Sequence, residues 1–387
     1  MKHFFSNIIV QLLFAVAIGL LIGVFANEYI IKIALVMKQI GGQIIFFLVP
    51  LIIFGFVALS IARLKNDASK VLLFTFGIAY LSSVGAALFG IAVGYEAIPF
   101  LNISPDLDNL RELPELPFSL RIPPIMDVMS ALVLSIFVGL STAWVKSKEI
   151  VLLLDHFQQM VILLVQKILI PILPFFIAAN FCVLSYEGAI TKQLPLFAIV
   201  ILIAILCHYI WIFLLYVIAS FYSKNNGWEV FKHYGPAYVT ALGTMSSAAT
   251  LGVALTCARK NKILSREVTD FSIPLFANIH LCGSILTEVF LVMTVSQVLY
   301  GTLPDLSTMI AFVLLLGIFA IGAPGVPGGT VLASLGIVVS VLGFDEAGTA
   351  LLITIFALQD SFGTACNVTS DGALALIVNK FVANERS

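Results

Sequence analysis

The chain has 387 residues, 60% of them hydrophobic and 11% charged, with a formal net charge of −1. Soluble domains carry roughly 25% charged residues, so the composition argues against a water-soluble fold. The near-zero charge argues against a nucleic-acid partner on electrostatic grounds.

Taken in chain order, the pattern predicts eight long helices near 5–26, 31–63, 71–97, 123–145, 150–184, 193–223, 268–300 and 346–381. The guide is length, since ~20 apolar residues span a hydrocarbon core. The first run is too long for a signal-peptide core and more spans follow it, so it reads as the first membrane helix. The polar stretch 98–122, rich in proline and acids, reads as a loop. Two segments, 227–258 and 306–342, are apolar but broken at mid-length. Their centres are Gly243-Thr244-Met245-Ser246-Ser247-Ala248-Ala249 and Gly322-Ala323-Pro324-Gly325-Val326-Pro327-Gly328-Gly329. A straight span does not accommodate the second of these. Both read as re-entrant helical hairpins, whose backbone at membrane depth must be buried in protein or line a cavity.

In this topology Lys2, Arg63, Lys65, Lys146, Lys224, Arg259 and Lys380 share one side, while Asp106, Glu112, Asp305 and Asp345 lie on the other. The positive-inside rule then places both termini in the cytoplasm. It makes the two hairpins enter from opposite sides, the pattern of inverted repeats around a transporter site. Physically, a helix N-terminus suits a carboxylate, and unwound carbonyls suit sodium. The five cysteines fall in apolar stretches without paired spacing and read as buried small side chains.

Within the spans, ionisable residues are few: Lys167, His208, His280, Glu288, Asp360 and Asp371. A charged Asp or Lys costs about 2.5–3.5 kcal/mol at a membrane-helix centre, so each invites a role. Asp360, Thr364, Asn367 and Asp371 recur at i, i+4, i+7 and i+11 and share one helix face. Packing alone does not account for such a stripe. His208 reads as a hydrogen-bonded packing residue, and Lys167 is assigned no function.

Four motifs in order resemble the sodium-coupled glutamate/neutral amino-acid transporter family, the dicarboxylate/amino acid:cation symporters. They are Ser246-Ser247-Ala248-Ala249-Thr250-Leu251, Ser272-Ile273-Pro274-Leu275 through Gly283-Ser284, Gly322 through Gly328, and Asp360 through Asp371. The likeness is sharpest over 227–381 and is closest to the bacterial neutral-amino-acid type. It implies an all-α polytopic fold of eight transmembrane helices plus two re-entrant hairpins, with inverted repeats. Residues 1–226 would be mainly scaffold and trimerisation helices, although the third and sixth helices join the transport domain. Residues 227–387 would form the core of that domain, which moves as an elevator in a homotrimer in the inner (plasma) membrane. The resemblance also implies site roles. Asp360 would take the substrate ammonium, and Thr364 and Asn367 would hold the substrate. Ser246, Ser247, Ser284, Val326 and Gly363 would complete its site. Asp371 would ligate sodium together with main-chain oxygens at Phe276, His280 and Asn367. A second sodium site would use those at Asn278, Ala320, Ile321 and Ala323.

Departures from the family pattern sharpen the expectation. Gly363 stands where members that take acidic amino acids carry Arg, so a small neutral amino acid such as serine, threonine or alanine is expected, with volume to spare at Gly363. His280-Leu281-Cys282-Gly283 replaces the family's Asn-Met-Asp-Gly motif. Sodium prefers oxygen donors, so about two coupled ions are expected, with Glu288 and His280 as candidates for carrying a proton. Three alternatives remain. A C4-dicarboxylate symporter conflicts with Asp360, whose charge repels a dianion. A channel lacks a visible filter or charged ring. An enzyme lacks HExxH and GxSxG, and only His280 and Cys282 hint at one.

Overall fold

The computed structural model describes residues 8–62, 70–101, 111, 113–116, 120–126, 128–164, 167–168, 170–188, 190–323 and 328–386. Among them the regular elements are all helical. The first group comprises α1 (Ile8–Phe25), α2 (Glu28–Ile53), a π turn (Phe54–Ala58), α3 (Leu59–Ala62), α4 (Lys70–Phe100), α5 (Val128–Val145), α6 (Lys148–Leu164), α7 (Ile170–Glu187) and α8 (Ile190–Ser223). The second comprises α9 (Trp228–Phe231), α10 (Gly235–Thr244), α11 (Ser247–Ala258), α12 (Arg266–Ile279), α13 (Cys282–Tyr300), α14 (Leu306–Ile321), α15 (Gly329–Leu342) and α16 (Glu346–Arg386).

Several boundaries differ from the sequence expectation. The helix expected over 31–63 begins earlier, where Asn27 caps it by accepting the Ile30 N–H at 3.0 Å. It passes into the π turn after Pro50, a residue that disrupts helical hydrogen bonding. Of the helix expected over 150–184, the described parts are helical, Lys148–Leu164 and Ile170–Glu187, and residues 165, 166 and 169 lie outside the described residues. Residues 98–100, expected in a loop, close α4.

Among the described residues, four helical stretches are long and apolar enough to cross a membrane: Lys70–Phe100, Leu196–Ser223, Arg266–Tyr300 and Glu346–Glu385. They fall into two kinds. In the first two, 39% of the most apolar window is buried, and residues such as Leu81 and Phe213 point outward; in the last two the share is 89%. The first pair therefore presents a face suited to lipid, and the second pair is internal.

Contacts follow the same division. Helix α1 packs along α7, α2 packs on α7 and α5, and the π turn packs on α5 and α6. Helix α13 lies between α4 and α16. Helix α16 is the hub, touching α8, both arms of the first broken segment (α10 and α11), both halves of the seventh predicted helix (α12 and α13), and α15. All five cysteines are buried and free.

Candidate functional site

The first broken segment turns back at its tip. Helix α10 stops at Thr244, Met245 adopts a left-handed conformation (φ 51°, ψ 28°), and Ser246 is extended. The Ser246 hydroxyl oxygen accepts the Ala249 N–H at 3.2 Å. The Thr250 hydroxyl donates to the Ser246 carbonyl at 2.9 Å. Helix α11 thus starts at the tip, with its N-terminal N–H groups beside buried Ser247. That end carries the partial positive charge of a helix N-terminus.

The seventh predicted helix is interrupted where His280-Leu281-Cys282-Gly283 stands. His280 and Leu281 leave helical geometry (φ −114°, ψ 104° and φ −123°, ψ 39°), and α13 restarts at Cys282. No local side chain caps the restart. The cap comes from α16: Asn367 Oδ1 accepts the N–H groups of Gly283 at 2.7 Å and Ser284 at 3.2 Å. Its Nδ2 donates to Ser284 Oγ at 2.9 Å. Gly283 permits this approach, since a Cβ there would strike the Gly363 carbonyl and Cys366. His208 braces the same turn, with Nε2 3.0 Å from the Gly283 carbonyl and 2.8 Å from Thr287 Oγ1. It is a hydrogen-bonded packing residue.

Three carboxylates lie inside. Asp360 accepts the Gly328 N–H at 2.6 Å, which ties α16 to the residue preceding α15. Asp371 Oδ1 is 2.8 Å from His280 Nδ1, and His280 Nε2 is 2.9 Å from Ser82 Oγ on α4. Glu288 on α13 accepts a hydrogen bond from Ser334 on α15. Their outer oxygens, Asp371 Oδ2 and Glu288 Oε2, have no partner among the described residues. The Lys and Arg ion pairs described (Lys32–Glu28, Lys70–Glu385, Lys232–Glu229, and Asp270 with Arg259 and Arg266) are all on exposed side chains. Among the described residues none of these carboxyl groups has a Lys or Arg partner, His280 being the basic side chain paired with Asp371, and any of them that stays ionised needs a counter-charge.

A profile of the sodium:dicarboxylate symporter family matches residues 8–381, nearly the whole chain. The chain belongs to that family. Among its relatives is excitatory amino acid transporter 2 of Mus musculus, 27% identical over 261 residues, which are 65% of this chain and 45% of the relative. Excitatory amino acid transporter 1 of Homo sapiens is 28% identical over 212 residues, 54% of this chain and 38% of the relative. The protein of that name from Ambystoma tigrinum gives 28% over 211 residues. The aligned stretch thus spans under half the length of these relatives. Family and relatives are transporters, not enzymes.

Of the symporter residues singled out in the sequence, Asp360, Gly363, Thr364, Asn367 and Asp371 are all buried in the unbroken α16. Ser284 and Asn367 are joined directly. Ser246 and Ser247 form the tip before α11. The Phe276 carbonyl accepts the His280 N–H at 2.9 Å, and the Asn278 side chain is back-bonded to Pro274 at 2.7 Å. Ala320 and Ile321 end α14, with Ala323 buried just beyond, and Val326 lies outside the described residues.

A Cβ at Gly363 would sit 3.2 Å from Ser284 Cα and 3.3 Å from its nitrogen, so the glycine lets α16 lie close to α13 there. Sequence reasoning missed Ser82, Ser334 and the Gly328–Asp360 bond. The adjacent Ser82-Ser83 in an otherwise apolar helix was the available signal for the first.

Proposed function

We propose that the chain is a secondary symporter that takes up a small neutral amino acid together with sodium. The observation that carries this reading is the buried pair Asp360 and Asp371, which has no fixed Lys or Arg partner among the described residues. The counter-charge then arrives with the cargo. Asp360 receives the substrate ammonium, and the N-terminus of α11 at Ser246 and Ser247 faces its carboxylate. Asn367 still has one amide hydrogen to offer, since Ser284 takes only one of two. Ser284, Val326, Gly363 and Thr364 complete the enclosure. Asp371 Oδ2 supplies a hard oxygen to one sodium, with main-chain oxygens at Phe276, His280 and Asn367. A second sodium uses those at Asn278, Ala320, Ile321 and Ala323. Glu288 is the candidate for a coupled proton.

The relatives are named for excitatory amino acids, yet the stripe on α16 carries glycine, not a cation, at 363. That absence favours a zwitterion over a dianion. The assembly that fits is a plasma-membrane homotrimer with cytoplasmic termini. Helices α1–α3 and α5–α7 would form the scaffold, and α4 with α8–α16 would form a moving transport domain.

The test is tracer uptake by the purified chain in proteoliposomes, with and without a sodium gradient, competed by a panel of unlabelled amino acids. Serine, threonine or alanine should compete, and uptake should require sodium. Asp360→Asn should abolish uptake while leaving the protein monodisperse and its unfolding midpoint little changed. Preference for glutamate or aspartate over serine would overturn the substrate assignment.

A further inference from the structure

We infer that Ser82, acting through His280, is a positioning residue for the cation site at Asp371; the inference rests on the proposed reading of Asp371 as a sodium ligand. The three side chains form a continuous chain across α4, the break before α13 and α16. Ser82 Oγ to His280 Nε2 is 2.9 Å, and His280 Nδ1 to Asp371 Oδ1 is 2.8 Å. All three are buried, His280 completely.

The chemistry of the groups fixes the direction of the inner bond. An ionised carboxylate only accepts hydrogen bonds, so Nδ1 carries a proton toward Asp371. The outer bond joins Nε2 and the Ser82 hydroxyl, which donates to a neutral ring and accepts from an imidazolium. With both ring nitrogens engaged, the imidazole has no lone pair for a cation. It acts on the cation only through Asp371.

The consequence is an asymmetric carboxylate. Oδ1 is held by His280, while Oδ2 is buried with no partner among the described residues. Hydrogen bonding to one oxygen of a ligating carboxylate orients the other and sets its basicity, as the outer partners of metal ligands do. Ser82 adds a second constraint, because it fixes the ring about the axis that aims Nδ1. The break can take this role because it is unwound. His280 is in extended conformation, so its side chain reaches α4 and α16 at once, which a helical residue at 280 pointing along one face would not do. Sodium at Oδ2 would thereby sense the position of α4 against the break.

The test measures the half-saturating sodium concentration and the substrate KM in proteoliposomes made with the full chain. Ser82→Ala should raise half-saturating sodium about three- to tenfold, the scale of one lost buried hydrogen bond. Substrate KM at saturating sodium should change little, and Ser82→Thr, which restores the hydroxyl, should recover most of the sodium affinity. If Ser82→Ala is not monodisperse, His280→Gln and His280→Ala are compared instead. The amide variant, which keeps a donor, should then show the smaller loss of sodium affinity. Unchanged sodium affinity in the Ser82 variants, or equal losses for sodium and substrate without rescue by threonine, would overturn the inference. Asp371→Asn separates the two levels. If it weakens sodium while Ser82→Ala does not, only the positioning role fails; if it leaves sodium dependence at the wild-type value, the ligand reading fails with it.

Discussion

The tip before α11 and the break before α13 solve the same problem in opposite ways. Each starts a helix inside the protein and leaves N–H groups that must be satisfied. At the tip the answer is local: Ser246 caps Ala249, and Thr250 bonds back to Ser246, all within five residues. At the break the answer is remote: Asn367, more than 80 residues away, caps Gly283 and Ser284, and His280 is held by Asp371 and Ser82. A local cap can open and close without disturbing its neighbours. A cap borrowed from α16 makes the break and the stripe on α16 one unit. The region expected to receive the substrate carboxylate is thus self-contained, and the region expected to hold sodium is welded to the substrate-bearing helix.

This contrast can be broken experimentally, and the largest effect is expected at the shared cap. Asn367→Ala removes three hydrogen bonds and leaves two N–H groups and a hydroxyl buried without partners. A loss of about 2–4 kcal/mol in stability is expected, together with loss of uptake, read from thermal unfolding in detergent and from tracer flux. A stable, active variant would mean that the two elements are not coupled. Gly363→Ala comes next. Its Cβ would press on Ser284 at 3.2–3.3 Å, so a cost of about 1–3 kcal/mol is expected from overpacking. Weakened uptake of every amino acid should accompany it, because the insertion parts α16 from α13. A selective loss of larger substrates only would show that residue 363 faces the cargo and not the helix. The smallest effect is expected at the local cap. Ser246→Ala should cost about 1 kcal/mol, visible as a small shift in unfolding midpoint. Its effect on substrate KM should exceed its effect on sodium dependence, and the reverse pattern would erase the distinction between the two regions.

What was legible in the chain follows from the same contrast. The tip was readable because a run of small residues, Gly243 to Ala249, interrupts an apolar segment. The caps Ser246, Asn27, Ser265 and Asp305 are equally local signals that the reading did not use. The stripe Asp360, Thr364, Asn367 and Asp371 was readable because 3.6-residue periodicity puts those residues on one face whatever surrounds them. The cap at Asn27, and with it the earlier start of α2, was not read, because apolar length dominated the pattern. Nor could sequence show that a Cβ at 363 would crowd Ser284, since a missing side chain gives no sign of what it faces.

The sequence by itself determined an all-helical membrane protein, the interruption at Gly243–Ala249, the polar stripe and, through its four motifs, the family. These depend on composition, helical period and short motifs, which are properties of neighbouring residues; the interruption expected at Pro324–Pro327 lies outside the described residues. Only the tertiary structure decided which groups neutralise one another. Asn367 with Gly283, His280 with Asp371 and Ser82, Asp360 with Gly328, and Glu288 with Ser334 are partnerships across 32 to 198 residues. A buried polar group must find a partner somewhere, but the chain does not state where. That choice is made when α16 packs against α13 and brings distant donors and acceptors within 3 Å.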